Sequence, residues 1–417
     1  MTPGDLDIDR RRMLRLMGLG LVSTAVLPWV AGCSDDDGAS SSGGTTSGPD
    51  TTETTASTTP TTTAPPAPVR LGPLGEPDAN GLRLPEGFTS RVLATTGEPV
   101  ADTGYTWHVS PDGGAVFPQD DGGWVYTSNC EDAVAGGTGM IRFDADGEIV
   151  AAGRILEGSY VNCAGGATPW GTWLSCEEIG NGRVWECDPL GVEPAAARPA
   201  LGIFKHEAVT ADPDAQVLYL SEDEPDGALY RFTPAAWPSL DEGELAVLAG
   251  AEGSRRWEPL PDPAGVNGAA ATPTRNQVAD VVRFNGGEGL AHFEGTTYLS
   301  TKGDNRIWAL DGQDVEVVYD AATTEATDEA GALLTGVDNI TVDGAGDRYV
   351  AEDGGTMDIV RLGPDGIIEQ VCQVTGVEGS EITGPAFSPD GTRLLFSSQR
   401  GPGRTYEVSG PFPHAEA

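Results

Sequence analysis

One short stretch of the sequence, NCAGGATPWGTWLSCEE at residues 162–178, is rich in side chains that can do chemistry. It places two cysteines, two tryptophans, three glycines and a pair of glutamates within 17 positions. Thiolates bind transition metals, and carboxylates bind hard cations such as calcium. A plain β-strand needs none of these residues. The stretch is therefore either a crowded turn or part of a site.

The elements that must position these residues show an internal repeat. Each copy is an aromatic or β-branched run that ends in Ser, Thr or acidic residues, as a buried strand does at a polar rim. The copies begin 48, 45, 79, 51 and 46 residues apart along the chain. They are WVYTSNCED from 124, TWLSCEE from 172, VLYLSEDE from 217, TTYLSTKGD from 296, DRYVAEDGG from 347 and RLLFSSQRG from 393.

A further strand follows each copy after a turn built from glycine or Asp-Gly, so the repeating unit is a hairpin. Six hairpins with a period of about 45–50 residues match the blades of a β-propeller. The widest interval holds an insertion near residues 233–275. A β-sandwich is the rival fold, but six copies of one hairpin favour radial repetition. We therefore predict an all-β protein, a six-bladed β-propeller.

A third recurring segment precedes the hairpins and is predicted to be the innermost strand of each blade. In an antiparallel blade, the start of the inner strand and the end of the next strand lie on the same face. Twelve side chains are therefore expected at one end of the central channel. They are Cys163, Glu207, Glu288, Asp338 and Glu381 on inner strands, and Glu131, Glu177, Glu178, Glu222, Asp223, Glu352 and Asp353 at the ends of the next strands.

So many acidic groups at one end of a channel require compensation. Like charges at close range raise one another's pKa, and desolvation adds a further penalty. Multivalent cations remove the conflict: carboxylates suit calcium, and one thiolate among them suggests a transition metal such as iron. The alternative is that the acids face solvent and only prevent edge-to-edge pairing of strands. The set as a whole, with Cys163 and His206 in it, favours metals.

The stretch at 162–178 resembles the signature of the PhoX-type alkaline phosphatases. The segments FKHEA, YLSEDEPDGALYRF, GEGLAH, DNITVDG with VAEDGG, and TGPAFSPDGTRLLF continue the resemblance in order, over roughly residues 75–410. The resemblance implies a six-bladed propeller, exported by the twin-arginine route, that hydrolyses phosphate monoesters. It also implies a cluster of Fe³⁺ and Ca²⁺ as the cofactor.

The same resemblance implies roles for individual residues. Cys163 would be an iron ligand, Glu207 would bridge metals, and these two with Glu352 would be the catalytic residues. The complete implied set of metal ligands is Cys163, Glu178, Glu207, Glu288, Asp338, Glu352 and Asp353. The division of these ligands between iron and calcium stays open.

Two positions depart from the family pattern. Ile179 replaces an asparagine that often contacts phosphate, and Val350 stands where a phosphate-binding arginine is expected. These departures motivate one alternative, a propeller that binds metal, ligand or protein without catalysis. A second alternative is a calcium-dependent hydrolase of another ester, such as a lactone, because propellers host several hydrolases and the fold alone does not decide. The basic residues near the motifs, each equally compatible with a surface role, are Lys205, Lys302, Arg231, Arg306 and Arg400.

The N-terminal region predicts export. Residues 10–15 match the twin-arginine pattern ahead of a short apolar run, and VAGC at 30–33 resembles a lipobox. We predict a signal peptide at 1–32, a flexible Ser/Thr/Pro-rich linker with a lipidated Cys33 at 33–72, and the propeller at 73–417. An ordinary signal peptide with an incidental cysteine is the alternative. The predicted location is the outer face of the cytoplasmic membrane, with the lipid as the only membrane contact.

A net charge of −40 excludes nucleic acid as a partner, because phosphate backbones need a basic surface. The expected partner is a small phosphate ester, and the expected state is a monomer. Five cysteines remain besides Cys33, so at least one thiol is unpaired unless it bridges to another chain. Cys176 and Cys187 flank a predicted hairpin turn and are candidates for a disulfide, which sequence alone does not establish.

Overall fold

The computed structural model describes residues 70–265, 272–328, 331–377 and 379–413. The predicted signal peptide, the predicted lipidation site Cys33 and the linker up to residue 69 lie outside the described residues. Within the described part, no helix has both the length and the apolar character that a membrane crossing requires. Two short 3₁₀ helices, Pro199–Leu201 and Thr274–Asn276, accompany a fold that is otherwise built from strands.

The strands form six antiparallel sheets, which confirms the predicted six-bladed β-propeller. The first two strands are β1 (Leu82–Arg83) and β2 (Thr89–Thr95). Blade 1 contains β3 (Pro111–Pro118), β4 (Trp124–Cys130), β5 (Gly137–Phe143) and β6 (Ile149–Glu157). Blade 2 contains β7 (Asn162–Ala167), β8 (Trp173–Glu177), β9 (Val184–Cys187) and β10 (Ala196–Ala197). Blade 3 contains β11 (His206–Asp212), β12 (Val217–Glu222), β13 (Leu229–Pro234), β14 (Gly243–Ala249) and β15 (Arg256–Pro259).

Blade 4 contains β16 (Gly287–Phe293), β17 (Thr296–Thr301), β18 (Arg306–Asp311) and β19 (Asp314–Asp320). Blade 5 contains β20 (Val337–Val342), β21 (Arg348–Glu352), β22 (Asp358–Leu362) and β23 (Ile368–Val374). Blade 6 contains β24 (Ile382–Phe387), β25 (Arg393–Ser398) and β26 (Arg404–Ser409). In each blade we call the first of these strands the inner strand and the next one the second strand.

The ring is closed by a strand from near the start of the described chain. Strand β2 pairs with β26, with Thr89 opposite Ser409 and Thr95 opposite Arg404. Strand β1 pairs with β23 at the edge of blade 5. Residues 82–95 are therefore part of the propeller, because their backbone groups satisfy strand edges that would otherwise stay open.

The six second strands coincide with the six repeat copies, and they are largely buried. Every residue of Trp124–Cys130 and of Val217–Glu222 is buried. Adjacent blades pack face to face: Tyr349 of blade 5 shares an apolar cluster with Phe396 and Tyr406 of blade 6. Burial on both faces explains why the copies are continuous apolar runs and not alternating ones.

Polar side chains near the ends of the second strands fasten one blade to the next. Each donates a hydrogen bond to a backbone carbonyl oxygen on the inner strand of the following blade. The donor–acceptor pairs are Asn129 with Cys163 (3.0 Å), Ser221 with Glu288 (2.6 Å) and Ser300 with Asp338. The polar ends of the repeat copies therefore fix the backbone at residues that the sequence predicts to be ligands.

The inner strands approach one another closely around the axis. Each carries one extra residue relative to its second strand, a β-bulge, near its start. A Cβ atom on Gly289 would lie 2.7 Å from the Ile340 backbone nitrogen and 2.8 Å from the Asp338 carbonyl oxygen. The channel narrows there to a cavity of about 40 Å³. Glycine at position 289 therefore permits the contact between blades 4 and 5.

Replacing Gly289 by alanine is expected to lower the free energy of unfolding by about 1–3 kcal/mol, because the added methyl group overlaps backbone atoms of the next blade. Chemical denaturation measures the difference. Gly344→Ala is the matched control, since a Cβ atom there meets no atom within 4 Å. Equal stability of the two variants would contradict the close-approach role of Gly289.

Candidate metal centre

Two positions in every blade lie at the same end of the central channel. One is the second residue of the inner strand, and the other directly follows the second strand. In blades 1 to 6 the first position holds Asp112, Cys163, Glu207, Glu288, Asp338 and Thr383. The other position holds Glu131, Glu178, Asp223, Lys302, Asp353 and Gln399. Six-fold repetition therefore concentrates acidic side chains at one end of the propeller.

Nine side chains at this end form four groups of candidate metal ligands, and we call these nine the donor cluster. Within each group the ligand atoms all lie within 4.8 Å of one another. The groups are Glu131–Cys163–Glu178, Asp112–Glu131–Glu381, Asp338–Asp353–Glu381 and Glu207–Glu288–Asp338.

The four groups are connected into a ring. Glu131, Glu381 and Asp338 each belong to two groups. Cys163 makes the remaining connection, because its Sγ donates to Glu207 Oε1 at 3.2 Å. The donor cluster is therefore one continuous set, in which a shared carboxylate is able to bridge two cations.

Glu352 and Asp353 are adjacent acids that point to different surroundings. Asp353 is a member of the donor cluster. Glu352 instead accepts the backbone N–H groups of Thr335 at 2.8 Å and of Thr356 and Asp358 at 3.1 Å. Because successive side chains alternate along a strand, only one acid of a neighbouring pair faces the channel. Glu352 therefore binds the backbone of the two loops that contain Thr335 and Thr356.

The same division holds in blades 2 and 3. Glu177 accepts the backbone N–H groups of Tyr160 at 3.2 Å and of Arg183 at 3.0 Å. Glu222 is fully buried and forms an ion pair with Arg275 at 2.8 Å. Both acids are thus used in loop and side-chain contacts, and neither belongs to the four groups.

The structure brings six of the seven predicted metal ligands into the donor cluster and leaves Glu352 outside it. Those six are Cys163, Glu178, Glu207, Glu288, Asp338 and Asp353. The cluster also contains Glu131 and Glu381, which the sequence places at the correct end without assigning them as ligands. Asp112 is missed, because PDGG at 111–114 reads as a turn although it occupies the same place in blade 1 as NCAG in blade 2.

His206 is buried near the donor cluster without being one of its donors. Its Nε2 lies 3.2 Å from the Gly202 carbonyl oxygen, and its ring stacks on Phe204 with centroids 3.6 Å apart. His206 is therefore a buried core histidine outside the four groups of candidate ligands.

The candidate disulfide between Cys176 and Cys187 is not formed. Cys176 pairs in register with Val184, and Cys187 pairs with Trp173, so the two thiols do not face each other. All five cysteines of the described residues are free thiols.

Burial and mutual repulsion act together on the donor cluster. Burial, followed by the charge of neighbouring carboxylates, raises the pKa of Glu207 and of Asp112 well above the ordinary range. Burial raises the pKa of Asp338 to about 6 and that of Glu381 to about 10. It also raises the pKa of the Cys163 thiol. A bound cation reverses these shifts, because positive charge favours the ionised form of each ligand.

Glu207 gives the clearest sign that the donors fit cations. The side chain is fully buried, and its Oε1 accepts from Cys163, but its Oε2 has no hydrogen-bond partner among the described residues. A buried carboxylate oxygen without a donor is unfavourable unless positive charge meets it. The donor types fit as well: one group offers a thiol with carboxylates, and three groups offer carboxylates alone.

Three basic side chains pair with carboxylates at this end. The pairs are Lys205 with Glu178 (2.9 Å) and Asp223 (2.7 Å), Lys302 with Glu288 (3.0 Å) and Asp353 (3.1 Å), and Arg400 with Glu381 (2.9 Å). Arg306 instead pairs with Asp304 and Asp320, and Arg231 lies over the Trp257 ring. Three of the five basic residues near the motifs therefore contact the site.

Comparisons with known proteins identify a family and a fold that this chain resembles. The family model described as alkaline phosphatase PhoX matches residues 125–186 and 181–331. No curated protein matches the sequence. The structure of Pseudomonas fluorescens PhoX in complex with vanadate, a transition state analogue, has a TM-score of 0.64 at 16% identity, over 81% of this chain and 97% of that chain. A Bacteroides thetaiotaomicron protein of unknown function has a TM-score of 0.51 at 12% identity, over 77% of this chain and 76% of that chain. At such identities, the structural matches establish the propeller fold.

In the presence of a chelator, the stability of the protein is expected to fall as pH rises. Burial raises the pKa of Glu178 to about 7 and that of Asp338 to about 6, above their ordinary values of 4.5 and 3.8. Between those values the folded state binds more protons than the unfolded state, so the contribution of these two carboxyl groups to stability is greatest below about pH 4 and is lost as the pH rises to about 7. Thermal unfolding in EDTA from pH 4.5 to 8 measures this loss.

Added calcium is expected to cancel the loss, because a cation stabilises the ionised carboxylates. Glu178→Gln is expected to flatten the pH dependence in EDTA, whereas Glu244→Gln, at an exposed position, is the matched control. A pH dependence that calcium and Glu178→Gln both leave unchanged would contradict the role of the donor cluster.

The neighbouring acids at 352 and 353 are expected to respond differently to amide substitution. Asp353→Asn removes a donor that lies in a group with Asp338 and Glu381, so the bound metal content should fall. Glu352→Gln weakens a loop clamp, so it should lower the free energy of unfolding by about 1–3 kcal/mol and leave the metal content unchanged. Metal analysis and denaturation of both variants test this. Metal loss in Glu352→Gln alone would instead support the sequence-based assignment of Glu352 as a ligand.

Proposed function

Because the chain belongs to the PhoX alkaline phosphatase family, we propose that it hydrolyses phosphate monoesters at the donor cluster. The observation that carries the proposal is the coincidence of the family match with the cluster. Five of the nine donors lie in the matched residues, and they come from four different blades. Those five are Glu131, Cys163, Glu178, Glu207 and Glu288.

The proposed cofactors are Fe³⁺ and Ca²⁺. The group Glu131–Cys163–Glu178 offers a thiolate with two carboxylates, which suits Fe³⁺, and the three groups of carboxylates alone suit Ca²⁺. When bound, such ions supply Lewis-acid chemistry, because they neutralise charge on the phosphoryl oxygens and activate an oxygen nucleophile.

The chain itself contributes a rigid set of donors. Hydrogen bonds between blades fix the backbone at Cys163, Glu288 and Asp338. The small residues of the inner strands narrow the channel to a cavity of about 40 Å³ and leave little room for water there. A fixed donor geometry favours the transition state, because little reorganisation is needed during the reaction.

The buried histidines do not provide the base of a Ser-His-Asp triad. Burial lowers the pKa of His108 and of His206 to about 3. Each ring also contacts a backbone carbonyl oxygen, that of Asn129 for His108 and that of Gly202 for His206. Activation of the nucleophile by the cluster is therefore favoured over catalysis by either of these two histidines.

The proposal includes the cellular location of the protein, its substrate and its oligomeric state. The twin-arginine pattern at residues 10–15 and the VAGC sequence at 30–33 support export and anchoring through a lipid on Cys33, at the outer face of the cytoplasmic membrane. The proposed substrate is a small phosphate ester, and the proposed working form is a monomer. The acidic charge supports exclusion of nucleic acid.

Cys163→Ala is expected to lower hydrolysis of p-nitrophenyl phosphate by at least about 100-fold and to remove iron, since even outer-shell partners of metals contribute ~10–100-fold. The assay and mass-spectrometric metal analysis are run on the same exported sample. Cys372→Ala is the matched control, because Cys372 is a buried thiol of blade 5 that lies outside the donor cluster.

Two outcomes would contradict the proposal. Full activity in Cys163→Ala would remove the thiolate from the mechanism. Wild-type protein that binds metals but hydrolyses no phosphate ester would leave a metal-binding propeller without phosphatase activity.

A further inference from the structure

Both lysines of this chain lie at the donor cluster. The sequence contains two lysines against 22 arginines. Lys205 directly precedes β11 of blade 3, and Lys302 directly follows β17 of blade 4. Each ammonium group pairs with at least one carboxylate of the cluster. Elsewhere in the described residues, arginine is the basic partner of acidic side chains. A general preference for lysine therefore does not explain why lysine occupies these two positions.

Lys302 occupies a position that holds an acid in four other blades. The residues that directly follow the second strands of blades 1, 2, 3 and 5 are Glu131, Glu178, Asp223 and Asp353. In blade 4 that place is taken by an ammonium group 3.0 Å from Glu288 and 3.1 Å from Asp353. Blade 4 therefore presents a positive charge where four other blades present a negative one.

Both lysines are accessible from solvent, and each is more exposed than the carboxylates with which it pairs. The Lys302 side chain is 34% exposed, and its partner Glu288 is 2% exposed. The Lys205 side chain is 28% exposed and bridges Glu178 and Asp223. The two lysine side chains are therefore within reach of a ligand that approaches the cluster from solvent.

Lysine suits this position for a chemical reason. Arginine presents a planar fork that binds one carboxylate in a bidentate manner, as a fixed pair. Lysine carries a compact charge with three rotatable donors on a flexible stem, and it binds phosphate as a point charge. An ammonium group is therefore able to turn from a carboxylate to a phosphoryl oxygen while it leaves the second carboxylate oxygen available to a cation.

We propose that Lys205 and Lys302 are the phosphate-binding cations of this site and that they select the dianion of a phosphate monoester. This inference rests on the proposed function. The two charges come from different blades, so a phosphoryl group above the cluster receives a hydrogen bond from each. A monoester dianion gains more from two ammonium groups than the singly charged phosphodiester does.

Reductive ¹³C-methylation tests the contact directly, because it labels amines and retains their positive charge. The chain has only two lysines, so two lysine signals are expected beside that of the terminal amine, and Lys205→Arg and Lys302→Arg assign them. Fe³⁺ is paramagnetic and broadens nearby signals, so the protein is loaded with Ca²⁺ and with diamagnetic Ga³⁺ in place of Fe³⁺. Inorganic phosphate titrated into this protein is expected to shift both signals with one common midpoint. Potassium chloride at matched ionic strength is the control.

Substitution provides the second measurement. Lys205→Met and Lys302→Met are each expected to raise KM for p-nitrophenyl phosphate by about 10- to 100-fold, the loss that follows removal of a charged hydrogen bond. The preference for this monoester over bis(p-nitrophenyl) phosphate should fall, and Lys→Arg should restore part of it. Arg306→Met is the matched control, because Arg306 pairs with Asp304 and Asp320 outside the cluster.

The outcomes separate this inference from the phosphatase proposal. Unmoved lysine signals in an active enzyme that phosphate still inhibits would overturn the lysine assignment alone. A changed metal content with an unchanged KM in the methionine variants would also overturn it, since the lysines would then only balance the acids. Absence of hydrolysis in the metal-loaded wild type would overturn both proposals.

Discussion

The repulsion among buried carboxylates at one end of the channel is the constraint on which the site depends. Glu207 and Glu288 are almost fully buried, and Asp338 lies in one group with both. Such groups ionise only if positive charge meets them, since neither solvent nor the protein interior stabilises the anions sufficiently. Two lysines and one arginine provide part of that charge. The Glu207 oxygen that meets no hydrogen-bond donor among the described residues is a place where a cation, as proposed above, would supply the remainder.

The propeller fold brings these donors together at one end of the channel. Antiparallel pairing brings the start of each inner strand and the end of each second strand to the same face, so each blade contributes two positions. Six blades supply enough donors for several cations without any long loop. Side-chain alternation then divides the acidic pairs: Asp353 joins the cluster, and Glu352 binds the backbone of the loops beside it.

The fold follows from the sequence more completely than the site does. The hairpin period depends on strand length and turn chemistry, which are local, so six blades are predictable from the repeat. The channel end of each acid is predictable for the same reason. The side of an inner strand on which each side chain lies is not predictable from sequence, because a β-bulge at the start of each inner strand shifts the alternation of side chains by one residue. Glu352 enters the predicted ligand set through the family resemblance, and side-chain alternation at the end of its own strand directs it to the loops and not to the cluster. Asp112 escapes notice because Asp-Gly also forms turns.

The donors are held by the protein before any cation is considered. The backbone N–H of Asp353 donates to the Gly336 carbonyl oxygen at 2.8 Å, and Glu352 next to it binds Thr335 and Thr356. The carbonyls of Glu288 and Asp338 are bound by serines of the preceding blade. A cluster fixed in this way selects cations by ligand type and spacing more than by affinity alone. It follows that the thiol of Cys163, in only one of the four groups, is the feature that distinguishes one group of candidate ligands from the other three.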